Sequence, residues 1–234
     1  MLSYEQFKDQ YEEYAFECRC ALRITEARLT NIKETLDHYD LKNPFNRIES
    51  RIKTLESAWV KYQKKYQEKA SEGVSDNVRD FLHDVAGIRV ITMFRDEIYD
   101  VVEAIRLAPG INIIEEKDYV KNPKESGYMS YHIDSMTEIF STTSKLARVE
   151  IQVRDKSMNL WASHEHLVRY KNDSPSPEAQ KLYQQMANSL REYDEIAMKL
   201  RDFQAPTKEW PATPHATNTD SAEAIAEAPT SPTP

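Results

Sequence analysis

Residues 145–153 read KLARVEIQV. Apolar and polar side chains alternate: Leu146, Val149, Ile151 and Val153 against Arg148, Glu150, Gln152 and Arg154. Period two is the signature of a strand with one face buried, and it puts Glu150, Gln152 and Arg154 together on the other face. Upstream, YMSYHIDSMTEIF (128–140) ends at the polar turn STTS, so the two segments read as a hairpin. Further out, AGIRVITMF (86–94) is β-branched and apolar and reads as a buried strand, and INIIEEKD (111–118) as another. Between them EIYDVVEAIRLA (97–108) reads as a helix stopped by Pro109-Gly110.

Helical patterns lie on both sides. Residues 3–38 carry helical periodicity without Pro or Gly. Residues 45–71 read as a second long helix, with Ile48, Ile52, Leu55, Trp59, Tyr62 and Tyr66 at three-four spacing. Ser75 or Asp76 is placed to cap a short helix carrying Val78, Phe81 and Leu82. Residues 156–171 and a last helix from Pro177, with Leu182, Met186, Leu190, Tyr193, Ile196, Ala197 and Leu200, complete the body. The expected fold is α+β or mixed α/β. It forms one domain over 1–203, helical to residue 84, sheet-containing over 85–154 and helical again over 155–203. From Gln204 six of the eleven prolines gather among Thr, Ala and Ser, which reads as a disordered tail over 204–234.

Composition narrows the function. The 234 residues hold 31 Lys and Arg against 39 Asp and Glu, a net charge of −8. That balance disfavours general nucleic-acid binding, which depends on cations meeting phosphates. The start MLSYEQFKDQYEEYAFE is acidic and polar, and no apolar run approaches a membrane span, so the cytoplasm is expected and no membrane partner. Cys18 and Cys20, two residues apart, suit neither a disulfide nor a zinc site and read as thiols on a helix. Only four glycines are present and no glycine-rich phosphate loop, so any bound phosphate must be held by side-chain cations.

Candidates for that chemistry stand on separate elements. Asp84 precedes a buried strand that contains Arg89, and a buried arginine requires an anion. Asp84 and Glu150, brought together from two strands, would suit Mg²⁺, which takes oxygen ligands and keeps phosphates in its shell. Lys53, Ser57 and Lys61 are four apart, and Arg47 and Arg51 make another such pair. Gly127 permits a tight turn before Tyr128, whose ring can stack on a planar base, and His132 follows on the same expected strand face. His164 and His166 point apart on a helix and make a poor zinc pair.

Four segments, SRIKTLESAWVKYQKK, HDVAGIRVITMF, KDYVKNPKESGYMSYH and VEIQVRDKSMNLWASHEHLVRYK, together resemble the synthetase domain of RelA/SpoT-type alarmone synthetases, in the small stand-alone class. They keep the family's order over residues 45–171. The resemblance implies a nucleotidyltransferase-like mixed sheet packed between terminal helices. It also implies Mg²⁺-dependent transfer of pyrophosphate from ATP to the 3′-hydroxyl of GDP or GTP, making (p)ppGpp and AMP. By the same resemblance Arg51, Lys53, Ser57, Lys61 and Arg89 would hold ATP, and Asp84 and Glu150 the metal. Glu150 would also draw the proton from the attacking hydroxyl. Tyr128 would stack on guanine, with Lys124, His132, Gln152 and Asn159 contacting the acceptor.

Two positions depart from the family's pattern. Met129 stands where a basic residue is frequent, and Asp155 where threonine is. The first, with a basic surface offered by Arg19, Arg23, Arg28, Lys33 and the lysines of 61–69, motivates an alternative, a toxic relative that pyrophosphorylates the 3′ end of tRNA and pairs with an antitoxin protein. A non-catalytic nucleotide- or RNA-binding module on the same fold is the third reading. Small relatives form tetramers, so a homo-oligomer is a further expectation.

Overall fold

A computed structural model describes residues 1–68, 75–139, 145–169 and 176–203. The chain begins with α1 (Tyr4–His38), a 35-residue helix opened by a capping box between Ser3 and Gln6. There follow β1 (Arg47–Ile52), α2 (Leu55–Glu68), a 3₁₀ turn (Val78–Asp80), β2 (Ala86–Thr92), α3 (Glu97–Leu107) and β3 (Ile111–Asp118). β4 (Tyr131–Ile139), β5 (Lys145–Asp155), α4 (Lys156–Arg169) and α5 (Pro177–Arg201) complete the described residues. The fold is mixed α/β, as expected. One five-stranded sheet has the order β1-β2-β5-β4-β3. β2 and β5 are parallel and the other neighbouring pairs antiparallel.

The apolar face of this sheet makes the core. Ile88, Val90, Ile133, Ile151 and Val153 are fully buried, and α1 packs across β1, β2, β4 and β5. Buried area of this kind is worth roughly 25 cal/mol per Å² of apolar surface. Polar contacts fix the long helix in place: Tyr14 Oη donates to Leu82 O at 2.9 Å, and Thr25 and Thr137 join their hydroxyls at 2.8 Å. Cys18 is buried and Cys20 half-buried on α1, both as free thiols.

Three local expectations are corrected. Residues 47–52 form a strand, not the start of the second helix. Ile48 and Ile52 are four apart, a spacing shared by a helix turn and by one face of a strand; pairing with β2 decides for the strand. Thr54 then caps α2, accepting from Ser57 N at 3.3 Å. The short helical turn is capped by Asn77, which accepts from Arg79 N at 3.0 Å, and not by Ser75 or Asp76. On α5 the expected apolar face is not the packed one: Leu182, Tyr193, Ile196 and Leu200 are exposed and Met186, Leu190 and Ala197 half-buried, while Ala187, off that face, is buried. The STTS turn and the tail lie outside the described residues, as does the 170–171 end of the fourth helical segment. Among the described residues no helix is long and apolar enough to cross a membrane.

The C-terminal helix is locked to the sheet through two acids. Asp155 ends β5 and caps α4, accepting from Met158 N at 2.7 Å. The Ser157 hydroxyl lies 2.8 Å from Asp155 Oδ1 and 2.6 Å from Asp194 Oδ2, and all three residues are buried. Burial, then the Asp155 charge, push the Asp194 carboxyl up to about 7. An unfolded aspartate titrates near pH 4, so folding takes up a proton between the two values. The stabilisation is therefore full below about pH 4 and lost as pH rises to about 7. Asp194→Asn should flatten the dependence of Tm on pH between 5 and 8 and raise Tm at pH 8, at about 2–4 °C per kcal/mol; thermal unfolding across that range checks it.

Candidate active site

The polar face of the sheet collects the chemistry. Register places Arg51 beside Gly87, Gly87 beside Glu150, and Glu150 beside Asp134. The next row runs Glu49, Arg89, Gln152, His132. Since side chains two apart share a face, these rows form one floor. Gly87 leaves space at its centre, where a Cβ would meet Arg51 at 3.8 Å.

Two open clefts meet on this floor. One, of about 450 Å³, is lined by Glu49, Arg51, Asp84, Arg89, Glu150 and Gln152 among others. The second, of about 760 Å³, includes Lys61, Asp84, Tyr119, Lys124, His132 and Glu150. Asp84 and Glu150 belong to both. Two acids 66 positions apart in sequence thus form the wall the clefts share.

Asp84 is the better anchored of the two. Its Oδ2 takes Lys61 Nζ at 2.6 Å and Lys53 Nζ at 3.1 Å. Burial raises its carboxyl, but the Lys61 hydrogen bond and the Lys61 and Lys53 charges outweigh that and hold it below the usual range. Its other oxygen, Oδ1, is buried without a hydrogen-bond partner. Burial also pushes Glu150 up, yet contacts from His132 and Gln152 bring it below its ordinary value. Gln152 Nε2 donates to Glu150 Oε2 at 2.7 Å, and His132 Nδ1 stands 3.5 Å from Oε1.

This donor set fits a hard divalent cation. Among the described residues no three His, Cys, Asp or Glu side chains gather as a metal group. Two carboxylates with a free buried oxygen leave the remaining positions to water and phosphate, which is how Mg²⁺ is commonly held. Arg89 supplies charge alongside: its Nη1 is 3.4 Å from Glu49, its Nε is buried and unpartnered, and burial followed by the Arg154 charge lowers it from the usual arginine value.

Rings border the second cleft: Tyr119 lines it, and Tyr128 touches its lining residues Lys124 and His132 without lining it. Lys124 N donates to Tyr128 O and Gly127 N to Lys124 O, closing a tight turn. β4 starts only at Tyr131, so Tyr128 sits in this turn and not on the strand as expected. Its hydroxyl still reaches His132 Nε2 at 2.8 Å. Lys124 Nζ lies 4.7 Å from the Tyr119 ring centre and 5.1 Å from that of Tyr128, a double cation–π contact.

The remaining candidates lie elsewhere. Ser57 bonds Thr54 at the start of α2, and Asn159 holds a buried, unpartnered Oδ1 on α4; neither lines these two clefts. Met129 points away from the acceptor side, buried against Met158, Trp161, Ala187 and Leu190. Its lack of charge therefore removes no cation from the cleft. Sequence reasoning gave no role to Tyr119, Glu49 or Arg154. Arg154 was legible by its place on the Glu150 face; Tyr119 and Glu49 carry no signal of their own.

The chain belongs to the RelA/SpoT family: the model for the "Region found in RelA / SpoT proteins" matches residues 50–175. It is 30% identical over 194 residues to the GTP pyrophosphokinase YwaC of Bacillus subtilis, covering 82% of this chain and 86% of that one. It is 28% identical over 202 residues to the GTP pyrophosphokinase YjbM of the same organism, covering 84% and 92%. Among solved structures, small alarmone synthetase 1 from B. subtilis bound to its product pppGpp matches with a TM-score of 0.74 at 26% identity, over 84% of this chain and 99% of that one.

The turn at Gly127 supports a stability test. Its φ is +87°, and a Cβ would stand 2.9 Å from that of Ala187 on α5. Gly127→Ala should cost about 1–3 kcal/mol through backbone strain and the clash, read by denaturant unfolding.

Proposed function

We propose that this protein transfers pyrophosphate from ATP to the 3′-hydroxyl of GDP or GTP, yielding (p)ppGpp and AMP. One observation carries the reading: two clefts of different lining share Asp84 and Glu150. A two-substrate transfer needs that arrangement, because donor and acceptor must meet across the groups that neutralise charge and take the proton. The activities of YwaC and YjbM and the product bound to small alarmone synthetase 1 support it.

In this reading the first cleft receives ATP. Arg51 and Arg89 line it and hold its phosphates and adenine, with Lys53 and Lys61 reaching the shared wall at Asp84; Ser57 stands outside its lining. The second cleft receives the guanine nucleotide, contacted by Lys124 and His132; Tyr128, in contact with both of these lining residues, stacks on the base, while Gln152 lines the first cleft and Asn159 neither. Asp84 and Glu150 hold Mg²⁺, which supplies charge neutralisation at the transferring phosphates. The acceptor 3′-oxygen attacks the β-phosphorus of ATP, the bond to the α-phosphate oxygen breaks, and AMP leaves. Glu150, ionised, accepts the hydroxyl proton. Phosphoryl-type transfer asks mostly for positioning and charge compensation, so side-chain cations do here what a glycine loop does elsewhere.

Incubating the protein with ATP, GDP or GTP and Mg²⁺, with bulk tRNA in parallel, tests this. Separation of the nucleotides should show AMP and a guanosine 3′-diphosphate product; neither appearing at any Mg²⁺ concentration would overturn the proposal. Chelation by EDTA should stop turnover and added Mg²⁺ restore it. Glu150→Gln should lower kcat about 10²–10⁴-fold, the range of a lost general base, with the unfolding midpoint near that of the wild type.

A further inference from the structure

Arg154 lines neither cleft, yet every path of hydrogen bonds into Glu150 described above leads back to it. It is 5% exposed, so water does not compete for its donors. Nη2 lies 2.6 Å from Tyr128 Oη and 2.6 Å from Gln152 Oε1, and Nε lies 3.3 Å from Ser130 Oγ. Nη2 has two protons, one for each of its two acceptors.

We propose that Arg154 is a positioning residue for the transfer, fixing both oxygens of Glu150 through two hydrogen-bonded arms. The proposal rests on the role given to Glu150 above. Its logic is that a guanidinium donates and never accepts. On the first arm, Gln152 must turn Oε1 toward Arg154, which leaves Nε2 to donate to Glu150 Oε2 at 2.7 Å. On the second, Tyr128 Oη accepts from Arg154 and sends its own proton to His132 Nε2, 2.8 Å away. A neutral His132 then carries its proton on Nδ1, which faces Glu150 Oε1 at 3.5 Å. One buried cation thus sets the direction of every hydrogen bond in both arms, the second of which brings His132 Nδ1 to 3.5 Å from Glu150. The reverse polarity would set the His132 Nδ1 lone pair against a carboxylate and leave the phenol proton without an acceptor.

The arms are unequal in what they touch. His132 lines the acceptor cleft and Tyr128 bonds to it, whereas Gln152 lines the donor cleft. Arg154 therefore ties the aim of the carboxylate to both substrates' walls without contacting either cleft. Lysine is no substitute, because a compact ammonium lacks the planar fork that serves Tyr128, Gln152 and Ser130 together.

The test combines a spectrum with kinetics. In ¹⁵N-histidine-labelled protein without nucleotide, at a pH where His132 is neutral, its ring (assigned with His132→Gln) should show the proton on Nδ1. A proton on Nε2 would overturn the proposal whether or not any variant folds. Arg154→Gln should lose that tautomer preference and lower kcat about tenfold or more, with KM for ATP within about twofold. Arg154→Lys should not restore kcat. Combining Arg154→Gln with Tyr128→Phe should lower kcat little beyond the larger single loss, because the arm that Tyr128→Phe cuts is already cut by Arg154→Gln. A folded Arg154→Gln with near wild-type kcat, or losses that multiply, would overturn the role while leaving the reaction standing. A wild-type protein that transfers no pyrophosphate would overturn the reaction itself.

Discussion

Negative charge held on one side of a sheet is the constraint around which this molecule is arranged. Asp84 and Glu150 lie close enough for each to raise the cost of ionising the other. Isolated in a protein interior, such a pair would take up a proton. Here Lys53 and Lys61 compensate one acid, and His132 and Gln152 the other. Both remain carboxylates, and that state is the one able to bind a cation or accept a proton. The lysines reach Asp84 because β1 and α2 meet at a capped corner at Thr54.

The acceptor side depends on support from behind. Tyr128 sits in a turn closed on the outside by α4 and α5: its ring meets Trp161 at 6.1 Å between centres, and Trp161 Nε1 donates to Tyr183 O at 3.1 Å. Gln184 donates to Glu125 O on the same turn, and Ala187 abuts Gly127. The acid pair that docks α5 thereby also steadies the ring proposed to stack on a base. Met129 faces into this support, against Met158, Trp161, Ala187 and Leu190.

Much of the fold was legible from periodicity. The alternation from Leu146 to Arg154 identified β5 and assigned its faces, and the long helical patterns of α1 and α5 were sound. The boundary at residue 53 was hidden because Ile48 and Ile52 satisfy helix and strand alike, and no Pro or Gly marks the change. At the candidate site, residue type combined with resemblance singled out the cations and acids that gather in the clefts. Tyr119 and Glu49 escaped notice because only strand pairing brings them there. The hydroxyl link from Tyr128 to His132 came from a turn and not from the strand pairing that the spacing suggested.

β5 interleaves two trades on one ribbon. Val149, Ile151 and Val153 pack into the interior, while Glu150, Gln152 and Arg154 share the other face, the first two lining the clefts and Arg154 buried behind them. Slipping the strand by a single residue would bring acid, amide and guanidinium into the hydrocarbon and expose three aliphatic side chains to solvent. Insertions or deletions here would therefore strike foldedness and chemistry in one blow, and only substitution can tune either separately.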